Sequence, residues 1–214
     1  ADVFRKNLSP NLWNFVELPD FARSSSSAST RGPWFEKACQ KQINCDILVI
    51  SGHFGGTFFG TSSSDDLQLS MEDLETSSCK DSCRGILQTP KEVFLFGCNT
   101  LASKEPDARS PEDYQRVLIR DGFSTSQASQ ITAFRYSGMG DTFRSRMTQV
   151  FSKTPRIYGF SSLAPSGEHT QPLLDRYFRS PVTKNYYDTF IVNQQLNQPL
   201  KSAFNQTTLI QTSG

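Results

Sequence analysis

Three short apolar runs constrain this chain more than any other feature: Ile47-Leu48-Val49-Ile50, Val93-Phe94-Leu95-Phe96 and the stretch Arg156-Ile157-Tyr158-Gly159-Phe160. The first two are apolar at every position rather than at alternate ones. Continuous runs of that length, bounded by polar or turn-forming residues, read as strands buried on both faces, as in a parallel sheet covered by helices. The stretches between them carry helix signals. Ser70 stands before Met71-Glu72-Asp73-Leu74, a capping hydroxyl followed by acids in the first turn, where the helix dipole favours them. Ser110-Pro111-Glu112-Asp113 combines cap, proline and early acids, and predicts a helix that ends before Gly122. Further helices are expected over 33–40, 126–135, 141–151 and 170–178. Strands that alternate with helices predict an α/β fold, a three-layer sandwich with a mostly parallel central sheet.

The 214 residues suffice for one sizeable domain. Residues 1–32 read as an irregular N-terminal segment that includes a Ser-rich loop over 23–31. Residues 33–180 hold the strand–helix alternation. Residues 181–214 read as a polar extension that packs on that domain or leads to a further one. A chain that opens on Ala1 and closes on a polar stretch reads as a piece of a longer protein, with a flanking regulatory domain or activating partner expected. The net charge of +1 and the scattered Lys and Arg residues argue against nucleic acid as a partner. No apolar run approaches the roughly 20 residues that cross a bilayer, so a membrane is not expected either.

Five cysteines are an odd number, which favours a free functional thiol and a reducing, cytoplasmic setting over a disulfide framework. Cys79 and Cys83 lack the further ligands that structural zinc needs, although a single disulfide between them suits an exported protein. Cys39 and Cys45 are expected to pack beside the first strand.

The chemistry-bearing residues stand at strand ends. The first run ends Ser51-Gly52-His53 and the second Gly97-Cys98. In open parallel sheets functional groups gather beyond the carboxyl ends of the strands, and neighbouring strands lie about 4.8 Å apart. A thiol facing an imidazole there makes a nucleophile: the imidazole takes the proton and then stabilises the thiolate. Cys98 is the expected nucleophile and His53 its general base. The amides of Gly55 and Cys98 are the expected oxyanion hole, and Gly97 is expected to leave room for a substrate carbonyl. No metal or organic cofactor is implied. Ser51-Gly52-His53-Phe54-Gly55-Gly56 also admits a phosphate-cradling turn, but it matches neither the dinucleotide fingerprint nor the P-loop.

An apolar strand ending in His beside glycine, followed by a second ending in a small residue and Cys, resembles the caspase-like cysteine peptidases (caspases, gingipains, separases, legumains). The stretch Val93–Leu101 and the later Ile157–Phe178 most resemble the CHAT-domain branch. The resemblance implies a thiol endopeptidase acting on protein or peptide through a thioester acyl-enzyme, with basic P1 residues favoured. It also implies that the polar segment 102–110 is a gate or processing site, cut at Lys104 or Arg109. Phe54 stands where the family has glycine directly after the His. Phe96 stands where some members carry an acid two positions before the Cys, so substrate-pocket residues are expected elsewhere, at Glu168, Asp46 and Ser161. The alternative is a catalytically inactive member serving as a scaffold or binding module.

Overall fold

A computed structural model describes residues 2–19, 34–59, 68–103, 109–136, 143–190 and 195–214. The expected loop at 23–31 lies outside these residues, as does Lys104. The elements, in chain order, begin with α1 (Asp2–Asn7), α2 (Trp34–Cys39), β1 (Ile47–Ser51), β2 (His53–Phe54), β3 (Thr57–Phe59) and β4 (Leu69–Ser70). Then come α3 (Met71–Ser78), a 3₁₀ turn (Asp81–Cys83), α4 (Arg84–Leu87), β5 (Glu92–Phe96), α5 (Pro111–Arg120), α6 (Thr125–Tyr136) and α7 (Phe143–Val150). The chain closes with β6 (Arg156–Phe160), α8 (Gly167–Arg179), α9 (Pro181–Thr189), α10 (Gln198–Ala203) and β7 (Leu209–Thr212).

The three apolar runs form adjacent parallel strands in a four-stranded sheet of order β1-β5-β6-β7, in which β7 runs antiparallel to β6. Strand pleating sends successive side chains to opposite faces, so a run apolar at every position buries both. Leu48, Val93, Leu95 and Ile157 pack with α2, α3, α4 and α7 on one face. Phe94, Tyr158 and Phe160 pack with α1, α8, α9 and α10 on the other. The molecule is thus α/β, with a mostly parallel sheet flanked by helices. Removing one such core side chain from water contributes about 1.5–3 kcal/mol.

Two helix starts are built as their residues dictate. The Ser70 hydroxyl accepts from the Asp73 amide at 3.0 Å, and the Asp73 carboxylate accepts from the Ser70 amide at 3.0 Å, a closed capping box. The Ser110 hydroxyl accepts from the Asp113 amide at 3.2 Å, with Pro111 in the first turn. Other elements escape local signals. Asp2–Asn7 is helical within the segment read as irregular. The described residues of 181–214 fold onto the sheet as two helices and its fourth strand.

Cysteine pairing departs from expectation. Cys39 does not merely pack: it is bonded to Cys83, and Cys79 is free and exposed. The bond joins the end of α2 to the 3₁₀ turn, both buried. A formed disulfide belongs to oxidising surroundings, which removes the support that the odd count lent to a reducing setting. The bridge spans a sequence separation of 44. Replacing both Cys39 and Cys83 by Ala is expected to cost about 3 kcal/mol of unfolding free energy, read by urea denaturation. Wild type should fall to the same value in reductant, and a double variant as stable as oxidised wild type would refute the pairing.

Candidate active site

β1 and β5 are in register such that Ser51 pairs with Phe96, and the Gly52 amide extends the ladder to the Phe96 carbonyl at 3.0 Å. His53 and Cys98 each lie two residues beyond that last pair. Both line one cleft of about 1000 Å³ at the carboxyl ends of the parallel strands. The register that buries the apolar runs therefore also brings the two reactive side chains to a common cavity.

Each residue has its own support. After Gly52 the chain leaves the main sheet, and β2 pairs with β3 in a small antiparallel sheet, His53 opposite Phe59. A Cβ at Gly52 would stand 2.7 Å from the Phe59 carbonyl oxygen, so only glycine permits this approach. The imidazole sits half-buried between Phe59 at 5.3 Å and the edge of Phe123 at 5.0 Å. The turn bearing Cys98 is fixed by its successors. Asn99 takes a left-handed φ of 61°, a conformation that Asn tolerates better than most residues, and donates its amide to the Ser162 carbonyl at 2.7 Å. The buried Thr100 hydroxyl donates to the Leu95 carbonyl (3.1 Å) and accepts from the Phe160 amide (3.1 Å), which ties the turn to both strands.

The Cys98 thiol is 6% exposed and accepts a hydrogen bond from the Ala164 amide at 3.3 Å. Burial pushes its pKa up to about 11, against the lowering effect of the Ala164 donor, and the Asp121 charge pushes the same way as burial. Burial lowers the His53 pKa, with Asp121 opposing. The Cys98 thiol and the His53 imidazole, which line the same cleft, are thus both neutral at rest, rather than the thiolate–imidazolium pair anticipated from the residue types. Desolvation disfavours both charged forms and explains the difference. Because the Cys98 pKa is raised, its thiolate fraction below that value should grow about tenfold per pH unit. Alkylation of Cys98 by iodoacetamide, followed by peptide mass, is expected to accelerate continuously from pH 7 to 10. A plateau already reached at pH 7 would mean a preformed ion pair.

Of the other residues expected at the site, several stand apart from it. The Gly55 amide donates to the Thr57 carbonyl (3.4 Å) inside the β2–β3 turn, and a Cβ at Gly55 would meet the Ile131 side chain, so Gly55 does not line the cleft. Asp46 precedes β1 at the opposite, amino end of the sheet, is exposed and pairs with Lys91 at 3.4 Å. The Ser161 hydroxyl and amide both donate to the Thr208 carbonyl, turned toward the β7 side. Glu168 is exposed in the first turn of α8, whereas Thr170, Gln171, Leu174 and Asp175 of that helix face the cleft. Gly97 lines the cleft, and packing also requires a glycine there: a Cβ would stand 2.8 Å from the Phe54 Cβ and 2.9 Å from the Gly52 carbonyl oxygen. Phe54 is fully buried against Phe58 and Phe143 and does not line the cleft. His169 is exposed and bonds Ser166.

Among the contributors to the cleft that were missed are Asp121, Asp175 and the Ala164 amide. None carries a local motif, since each reaches the cavity through a chain reversal far from His53 and Cys98 in sequence. Among the described residues no cluster of His, Cys, Asp and Glu is suited to a metal ion, and no helix is long and apolar enough to cross a membrane. No protein-family model, no curated protein and no solved structure matches the chain.

Proposed function

We propose that the chain is a caspase-like cysteine endopeptidase, with Cys98 as nucleophile and His53 as general base and then general acid. The observation that carries this reading is the placement of both side chains, from the carboxyl ends of neighbouring parallel strands, in one cleft of about 1000 Å³. Such a cleft has room for several residues of an extended peptide.

The reaction follows from the neutral resting pair. As the sulfur attacks the peptide carbonyl, the thiol proton passes to His53 and the negative charge moves to the carbonyl oxygen. The Cys98 amide and the Ala164 amide, which already points at the sulfur, are the donors within reach of that oxygen. A donor so placed contributes about 3 kcal/mol to the transition state. His53 then gives its proton to the leaving amine, which leaves a thioester. Water, deprotonated by His53, releases the acid and restores the thiol.

The burial of Cys98 favours one other reading, an inactive member of the same fold that serves as a binding module. Both readings meet the same experiment: labelling with peptidyl electrophiles bearing Arg, Lys, Asp or Leu at P1, read by intact mass. A single adduct on Cys98 supports the peptidase, and the fastest P1 names the pocket. A folded protein whose Cys98 never reacts, while Cys79 does, supports the binding module.

A further inference from the structure

One element of the cleft has no part in the dyad as described, the turn that follows α5. Gly122 turns there with a φ of 100°, and a Cβ on it would stand 3.5 Å from His53 Nε2 and 3.7 Å from Cε1. The backbone of the turn therefore lies against the edge of the imidazole. Phe123, buried, sets its ring edge-on to the same imidazole at 5.0 Å. Asp121, immediately before Gly122, is half-buried and lines the same cleft as His53 and Cys98. A backbone contact and an aromatic contact to the imidazole thus come from one turn, and that turn carries a carboxylate.

We propose that Asp121 is a positioning residue for the dyad: its carboxylate, carried on the turn packed against His53 but making no hydrogen bond or ion pair with it, acts across the cleft to support the imidazole as it carries the thiol proton during acyl transfer. The acyl-transfer part rests on the peptidase reading above; the effect on His53 does not. A carboxylate in this place stabilises the imidazolium and opposes the thiolate, and Asp121 raises the pKa of both partners. It therefore disfavours a free thiolate at rest. It favours proton transfer to His53 once the negative charge has moved from sulfur to the substrate oxygen. Electrostatic support of a histidine that becomes charged only in the transition state is the role an aspartate plays in serine-peptidase triads. Here it would be supplied by a turn between two helices.

Other charges face the same cleft. Asp2 and Lys6 come from α1, Arg120 from α5 and Asp175 from α8. Arg120 lies 3.6 Å from Asp121 and partly neutralises it, and Asp2 lies 3.8 Å from Arg5. Gly122 keeps the turn close: any side chain there would be strained at this φ, and its Cβ would come into van der Waals contact with the imidazole.

The chain has only two histidines, His53 and His169, so each can be titrated separately by NMR. In Asp121→Asn the His53 midpoint is expected to fall by about half a pH unit or more, with His169 unmoved, and Asp121→Glu should restore part of it. Turnover of the best peptide substrate should lose about tenfold in kcat with little change in KM. A His53 titration curve in Asp121→Asn that overlays wild type would overturn the proposal, as would a shifted curve with undiminished kcat. If wild type neither labels nor cleaves, the peptidase reading fails, and the titration alone then judges the hold of Asp121 on His53.

Discussion

Cys98→Ala is expected to abolish labelling by every peptidyl electrophile and to reduce kcat/KM to the background set by binding and oxyanion donors. His53→Ala should lower kcat by about 10²–10⁴-fold, the usual weight of a general base. The double variant should be no worse than Cys98→Ala, because a base without its nucleophile has nothing to activate. Near-additive losses would mean that the two residues act separately, and the dyad would then be wrong. The neutral resting pair sharpens this expectation. With the Cys98 pKa pushed to about 11, only about one thiol in 10⁴ ionises unaided at pH 7. Attack on a peptide then depends on His53 far more than it would for a preformed thiolate. His53→Ala should therefore depress peptide turnover much more than it depresses alkylation at pH 10. Cys98→Ala deletes one buried sulfur and should leave the thermal transition close to wild type, so loss of activity there is not loss of fold.

Glu92→Ala is expected to destabilise the protein by about 3–5 kcal/mol, the cost of orphaning a buried charge partner. Glu92 opens β5 fully buried and faces Arg156 across the β5–β6 ladder, Nε to Oε1 3.1 Å. The Tyr158 and Tyr187 hydroxyls donate to its two oxygens at 2.7 and 3.3 Å. Asn197 donates to Tyr158 and Tyr177 and caps α10 through its own carbonyl. The Arg156 guanidinium lies over the Tyr186 ring at 4.7 Å. One buried network thus joins two central strands to α8, α9 and α10, at the end of the sheet away from the cleft. Glu92→Gln keeps acceptors for the tyrosines but leaves Arg156 uncompensated, and should lose less than Glu92→Ala. A double change to Glu92→Leu with Arg156→Met should lose less than the two single changes combined, since no charge is left unpaired. Urea denaturation of the five variants, the two single changes of the pair included, reads this directly. A Glu92→Ala loss below about 1 kcal/mol would show that the network contributes little.

The distance between network and cleft separates these two outcomes. Glu92 stands at the start of the strand that ends beside Cys98, a strand's length away. Its substitution is expected to change stability without changing the pH dependence of Cys98 alkylation, whereas Asp121→Asn is expected to do the reverse.

Much of the fold and the centre of the site could be read from residue order alone, because both depend on local patterns. Runs apolar at every position specify strands covered on both faces, and Ser70 and Ser110 mark helix starts through hydrogen bonds that span three residues. The residues that close the strand runs identify Cys98 and His53, since a parallel sheet presents its carboxyl ends together. Other features depend on contacts between distant segments and left no such trace. Asp46 and Glu168 were named for the cleft, yet one lies at the wrong end of a strand and the other on the outward side of a helix. Asp121 and Asp175 line it because of how α5 and α8 pack. The Cys39–Cys83 bond needs α2 docked against a 3₁₀ turn 44 residues on. β7 is half-exposed, and only its pairing with β6 makes it a strand. The sequence alone determined the strands, the capped helices and the positions of His53 and Cys98 just beyond strand ends, because neighbouring residues settle these. Tertiary structure decided which charges surround that pair and that its thiol rests neutral, because burial and long-range packing set both.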